Sequence, residues 1–177
     1  MKELGRPFVA IVLGSESDRK IVDESGLTDT LDVMGIGWEM SYISAHRNSE
    51  ALMGYVLAGS ATVDVFIAAA GMSAALPGAI TAICGGITPV IGVPLPSTEF
   101  PDCQDAMLSM LRMPPGMPVI VPGIGKSGLK NAAIAAAQIL AIGSNDTAGK
   151  LCGYMDNTAK PAQQCVERSR AEEEVQA

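Results

Sequence analysis

The 177-residue chain holds one histidine, one tryptophan, three tyrosines and three phenylalanines, and these scarcities narrow its chemistry before any motif is read. So few aromatics leave nothing from which to build the base-stacking platform of a single-strand nucleic-acid binder. Charge points the same way. Twelve Lys and Arg against 19 Asp and Glu give a net charge of −7, no basic run interrupts that acidity, and an acidic surface repels a polyanion. No nucleic-acid partner is expected. The four cysteines, Cys84, Cys103, Cys152 and Cys165, form no CxxC pair and have no histidine pair nearby. Zinc ligation therefore lacks its usual spacing, no metal is expected, and reduced, mostly packing thiols are expected instead. No apolar stretch reaches the roughly 18 residues of a membrane span. The N-terminal "MKELGRPFVAIVLG" passes from a short apolar run straight into a polar loop, unlike a secretory signal. No membrane partner is expected, and the expected location is cytoplasmic.

What the chain does have is apolar and small. Hydrophobic residues make up 48% and charged residues 18%, with 19 glycines, as in a compact chain that buries much of its surface. Apolar runs of strand length recur at 7–14, 38–44, 63–71, 88–95 and 117–125, and segments of helical character fill the gaps at 17–34, 48–60, 74–86, 103–112 and 127–142. Alternation at this spacing is the pattern of parallel βαβ units, and continuously apolar strands are those covered by helices on both faces. The expected fold is α/β, a three-layer doubly wound parallel sheet of about five strands, flavodoxin-like. Residues 1–143 are expected to form one domain. Residues 144–177 change to mixed and then highly charged composition, and are expected to be a helical tail that either packs on a neighbouring subunit or frays.

In such sheets ligands bind beyond the carboxyl ends of the strands, where strand order reverses. That rule selects the loops "GSESDRK" (14–20), "SAHRNSE" (44–50) and "AGMSAALPG" (70–78). In the first, Gly14 permits a tight turn, and Ser15 and Ser17 offer hydroxyls ahead of a helix start, which describes a phosphate seat. The spacing of Ser15 and Asp18 equally matches a capping box that needs no ligand. Asp18 suits a sugar hydroxyl better than a phosphate. The second loop carries the lone histidine, His46. It is a reasonable general acid or base at a ligand-binding edge, although a surface histidine without function is the commoner case. Beside it, Arg47 offers a fork for a phosphate or carboxylate. In the third, small residues around Ser73 either admit a flat ligand to the backbone or pack helix tightly on sheet.

With these loops in view the chain resembles the PurE family of purine biosynthesis, over about residues 7–142. "VAIVLGSESD" matches that family's first-strand G-S-x-S-D, "SAHR" its second-loop motif, and "AAAGMSAALPG" its glycine-rich third loop; "PVIGVPLPS", "DAMLSMLRMPPGMPV" and "NAAIAAAQIL" resemble later strands and helix. The resemblance implies formation of 4-carboxy-5-aminoimidazole ribonucleotide without metal or organic cofactor, by a homo-octamer. It also implies that Ser15 and Arg47 hold the phosphate, Asp18 the ribose, and Gly71 and Ser73 the ring or carboxylate. Gly14, Ser17, Ser44, Ala45, Ala70, Met72, Ala75 and Leu76 would complete the substrate-binding set, and His46 would be the acid–base group.

The motifs mix two subclasses of that family. Class I members move the carboxylate of a carboxyamino ribonucleotide from nitrogen to carbon and typically carry a second histidine where Ala75 stands. Class II members take CO2 directly and share Ser73, Ala75 and Leu76, but have Arg in place of Met72. Because the second histidine is missing, direct carboxylation of aminoimidazole ribonucleotide by CO2 is the expected reaction and the mutase reaction the alternative. A nucleotide-binding module without chemistry is a third reading. A flavodoxin-like electron carrier lacks the aromatic residues that would flank a flavin.

Overall fold

The computed structural model describes residues 6–158. Four strands, β1 (Phe8–Leu13), β2 (Gly37–Tyr42), β3 (Val65–Ala70) and β4 (Val90–Pro94), form a parallel sheet in the order β2-β1-β3-β4. The helices are α1 (Arg19–Asp23), α2 (Leu27–Val33), α3 (Ser49–Gly59), α4 (Leu76–Ile83), α5 (Gln104–Leu111), α6 (Gly125–Ala141) and α7 (Asn145–Thr158). This is the expected doubly wound, flavodoxin-like α/β architecture, with the strand count corrected from about five to four. The fifth segment, 117–125, pairs with the sheet backbone through Ile120 alone among the described residues. Its N–H donates to the Val90 carbonyl at 3.0 Å and its carbonyl accepts from Gly92 at 2.8 Å. Pro118 and Pro122 stand two residues to either side, and neither can donate a ladder hydrogen bond, so the pairing cannot lengthen.

Because helices cover both faces, the two-residue period of the strands sorts side chains into two cores. Val9, Ile11, Leu13, Val65, Ile67 and Val93 pack beneath α1, α2 and α6. Ala10, Val12, Phe66 and Ala68 pack beneath α3, α4 and α5. Each fully buried large side chain contributes about 1.5–3 kcal/mol by leaving water. The segment expected as one helix over 17–34 is broken at Gly26 (φ +74°). There Ser25 Oγ donates to the Val22 carbonyl at 2.6 Å and accepts the Leu27 N–H at 3.1 Å, ending one helix and starting the next.

The long helix α6 lies on the sheet through alanines, with Ala132, Ala133, Ala136 and Ala137 fully buried. Its Gly128 could not be larger, since a Cβ there would sit 2.5 Å from the Gly123 carbonyl. Helix α7, in the segment expected as a tail, packs Leu151 and Tyr154 against this chain's own core. The rest of that segment, with Cys165, lies outside the described residues. No helix among the described residues is long and apolar enough to cross a membrane. Strand order reverses between β1 and β3, which opens a crevice above their carboxyl ends.

Candidate active site

A cleft of about 550 Å³ occupies that crevice. Gly14, Ser15, Ser17 and Asp18 line it from the loop after β1, and Ser44, Ala45, His46 and Arg47 from the loop after β2. Ala70, Gly71, Met72, Ser73, Ala75 and Leu76 line it after β3 and into α4. Every residue singled out from the three loops is thus brought together. Pro96, Ser97 and Thr98, after β4, form a fourth wall that the sequence reading left out. The signal for it was present, because the same rule about carboxyl ends applies to the strand that ends at Pro94.

The first loop is closed by its own polar groups. Ser15 is extended (φ −152°, ψ 151°), and its Oγ accepts from the Ser17 N–H at 3.3 Å and the Ser17 hydroxyl at 2.9 Å. The capping geometry is therefore present, over a single 3-10 turn, Glu16–Asp18. It does not exclude a ligand: both hydroxyls line the cleft and can rotate to present a proton to an anion there. Gly14 is not in a left-handed conformation, and a Cβ there would make only ordinary contact with Ala70. Asp18 is half-buried. Burial pushes its carboxyl above the ordinary value, and hydrogen bonds from the Ser15 backbone and the Ser17 side chain pull it partly back.

The second loop is a tight turn that carries two exposed side chains outward. Ser44 Oγ accepts the Arg47 N–H at 3.3 Å and the Ser44 carbonyl accepts the Asn48 N–H at 2.9 Å. The His46 ring and the Arg47 guanidinium make no hydrogen bond or ion pair among the described residues. Other cations nearby are already engaged. Arg19 binds Asp23 at 2.6 Å and the Tyr42 hydroxyl at 3.0 Å, while Lys126 binds Glu24 at 2.5 Å, with Lys20 at 4.0 Å. Arg47 is the one Lys or Arg that lines the cleft among the described residues, so an anionic ligand would find its charge partner there.

The third loop is shaped by backbone instead. A Cβ on Gly71 would lie 3.1 Å from the Leu95 carbonyl oxygen, so the absence of a side chain is what lets this loop cross the end of β4. Immediately after it, Met72 adopts φ +57°, a conformation that costs a residue with a Cβ about 1–2 kcal/mol. The Ala75 N–H then donates to the Ser73 carbonyl at 2.8 Å. Ala75 caps α4 without any side-chain hydrogen bond. Among the described residues no three His, Cys, Asp or Glu are grouped to hold a metal ion.

The cleft therefore offers one guanidinium, preoriented hydroxyls, one imidazole and a bare backbone wall. Similarity to known proteins follows the same lines. A family model described as AIR carboxylase matches residues 8–161. The N5-carboxyaminoimidazole ribonucleotide mutase of Pyrococcus abyssi is 39% identical over 158 residues, covering 89% of this chain and 87% of that protein. The enzyme of the same name from Bacillus subtilis is 38% identical over 154 residues, covering 86% of this chain and 92% of that one. The crystal structure of Treponema denticola PurE superposes with a TM-score of 0.73 at 31% identity, covering 86% of this chain and 92% of that chain.

Proposed function

The chain belongs to the AIR carboxylase (PurE) family of purine biosynthesis, and on that footing we propose that it is a mutase converting N5-carboxyaminoimidazole ribonucleotide to 4-carboxy-5-aminoimidazole ribonucleotide. The observation that carries this choice is the shared name of relatives about 38–40% identical over most of the chain. Ala75, in place of a second histidine, favours direct carboxylation by CO2, which is the competing reading.

Each side chain has a part in this reaction. The phosphate is taken by the Arg47 fork and the Ser15 hydroxyl. Asp18 accepts from the ribose hydroxyls, and the imidazole lies along Gly71 and Ser73. His46 enters protonated and gives its proton to the exocyclic nitrogen as the N–C bond breaks, its electron pair returning to nitrogen and CO2 leaving. The ring carbon, made nucleophilic by the adjacent amine, then attacks that CO2. His46, now neutral, removes the proton from the same carbon and restores aromaticity. One histidine thus closes the cycle in the state in which it began, and a second is not required for proton balance. We also propose a homo-octamer in the cytoplasm. The assembly is supported by exposed apolar side chains one turn apart on α3, Met53 and Leu57, and by Leu108 and Leu111 on α5.

The test compares purified protein given N5-carboxyaminoimidazole ribonucleotide with protein given aminoimidazole ribonucleotide and bicarbonate, each with and without carbonic anhydrase. Conversion of the first is expected. Turnover of only the second would make it a direct carboxylase, and turnover of neither a binding module.

A further inference from the structure

The mutase reaction passes through a stage that none of the residues assigned above serves. Between leaving nitrogen and reaching carbon, CO2 is a neutral molecule in a cleft open to water. We propose that Met72 closes over it, its side chain keeping CO2 in and water out during the transfer. This role rests on the mutase reading.

Two features of Met72 point there. It lines the cleft yet is 59% exposed, so an apolar side chain at the reaction end has nothing to cover in the free protein. It also holds φ +57°, a conformation that glycine adopts without strain. The loop is pinned on both sides of it. Gly71 is wedged against the Leu95 carbonyl, and Ala74 and Leu76 are 3% and 2% exposed, so the exposed side chains that this loop turns to the cleft are those of Met72, Ser73 and Ala75, of which only methionine is long and apolar. The other small residues along the cleft, Ala45, Ala70 and Ala75, are too short to cover anything. CO2 carries no charge and no dipole, so hydrogen bonds retain it poorly and containment has to come from apolar shape. An unbranched, polarizable thioether with three rotatable bonds can follow the outline of a bound ring. Exclusion of water is the ordinary means of preventing loss of a reactive intermediate.

The test supplies N5-carboxyaminoimidazole ribonucleotide with a ¹³C carboxylate to the enzyme in unlabelled bicarbonate buffer. Label retained in the product is read by mass spectrometry after subtraction of the enzyme-free rate. Wild-type protein is expected to retain most of the label. Met72→Gly and Met72→Gln should exchange it roughly fivefold or more faster relative to product formation, and Met72→Leu should retain it as wild type does, with thermal melts showing all three variants folded. Retention by the Gly and Gln variants equal to wild type overturns the role of Met72, as does a leaking Leu variant. Full exchange in wild type would leave the mutase activity standing and remove containment. Absence of product from wild type would remove the mutase reading itself, and this role with it.

Discussion

The loops after β1 and β3 face each other across the point where strand order reverses, and they are built on opposite plans. The first satisfies itself with hydroxyls: Ser17 donates twice to Ser15 Oγ, and Asp18 is held among the same groups. In the third, no side chain from Gly71 to Ala75 makes a hydrogen bond among the described residues. It is set by a glycine against a carbonyl and by a methionine in a left-handed conformation. The difference is one of ligand chemistry. A phosphate and a ribose present fixed charge and hydroxyls, which preoriented polar groups can meet at little entropic cost. A ring carbon and CO2 present almost nothing to hydrogen-bond, and there the cleft relies on shape.

That division is tested most severely between the two loops, at His46. His46→Asn is expected to lower kcat by about 10²–10⁴-fold, the usual worth of a general acid–base group. Nucleotide binding, measured by calorimetry, should stay within a few-fold; an undiminished kcat would remove His46 from the reaction. Arg47 belongs to the binding end. Arg47→Met should raise KM by about 10–100-fold, as expected for losing charge-assisted hydrogen bonds worth about 1.5–3 kcal/mol, while kcat changes little. Arg47→Lys should recover only part of the loss, because an ammonium cannot reproduce the planar fork. A fall in kcat with KM unchanged would put Arg47 at the reaction end instead.

Gly71→Ala probes the shaped wall with a single methyl group. Its Cβ at 3.1 Å from the Leu95 oxygen requires the loop to shift by a few tenths of an ångström. A shift there should cost about tenfold in kcat and little in KM, the reverse of the pattern expected at Arg47. If KM rises instead, the third loop binds nucleotide and the contrast between the loops dissolves.

The parts of this arrangement that were readable in the sequence are those set by local pattern. Buried parallel strands appear as unbroken apolar runs, and three loops at their carboxyl ends appear as clusters of Gly, Ser, His and Arg. The fifth strand misled because 117–125 is apolar but punctuated by Pro118 and Pro122, and hydrophobicity is blind to a missing N–H. The break at Gly26 was hidden inside an otherwise helical stretch. Pro96, Ser97 and Thr98 were passed over although the rule that selected the other loops covered them. Pairings made through space were illegible: no pattern links Lys126 to Glu24, 102 positions away, and it is that pairing which helps leave Arg47 as the cleft's cation. Nor does methionine announce a left-handed backbone, so the conformation of Met72 had to come from the structure.

The smallest expected effect is the most discriminating, because it separates stability from binding at one residue. Burial raises the Asp18 carboxyl above its ordinary 3.8, so over the pH window between the unfolded and folded values the folded state holds more proton than the unfolded one. Stability therefore falls as pH rises through that window, and at neutral pH the whole cost of burying the charge is present. Asp18→Asn removes the charge while keeping an oxygen to accept from Ser15 and Ser17. The variant should melt higher than wild type at neutral pH, by no more than a few degrees, and this advantage should shrink as pH is lowered through the carboxylate range. Its KM should rise severalfold, since a neutral amide is a weaker acceptor for ribose hydroxyls than a carboxylate. Melting curves from pH 7 downward, taken beside the kinetics, decide what the residue is for. A variant less stable than wild type at every pH would mean that Asp18 serves chiefly to cap its own turn. A variant more stable but weaker in binding would mean that the polar loop is strained toward a ligand, as the bare loop opposite is at Met72.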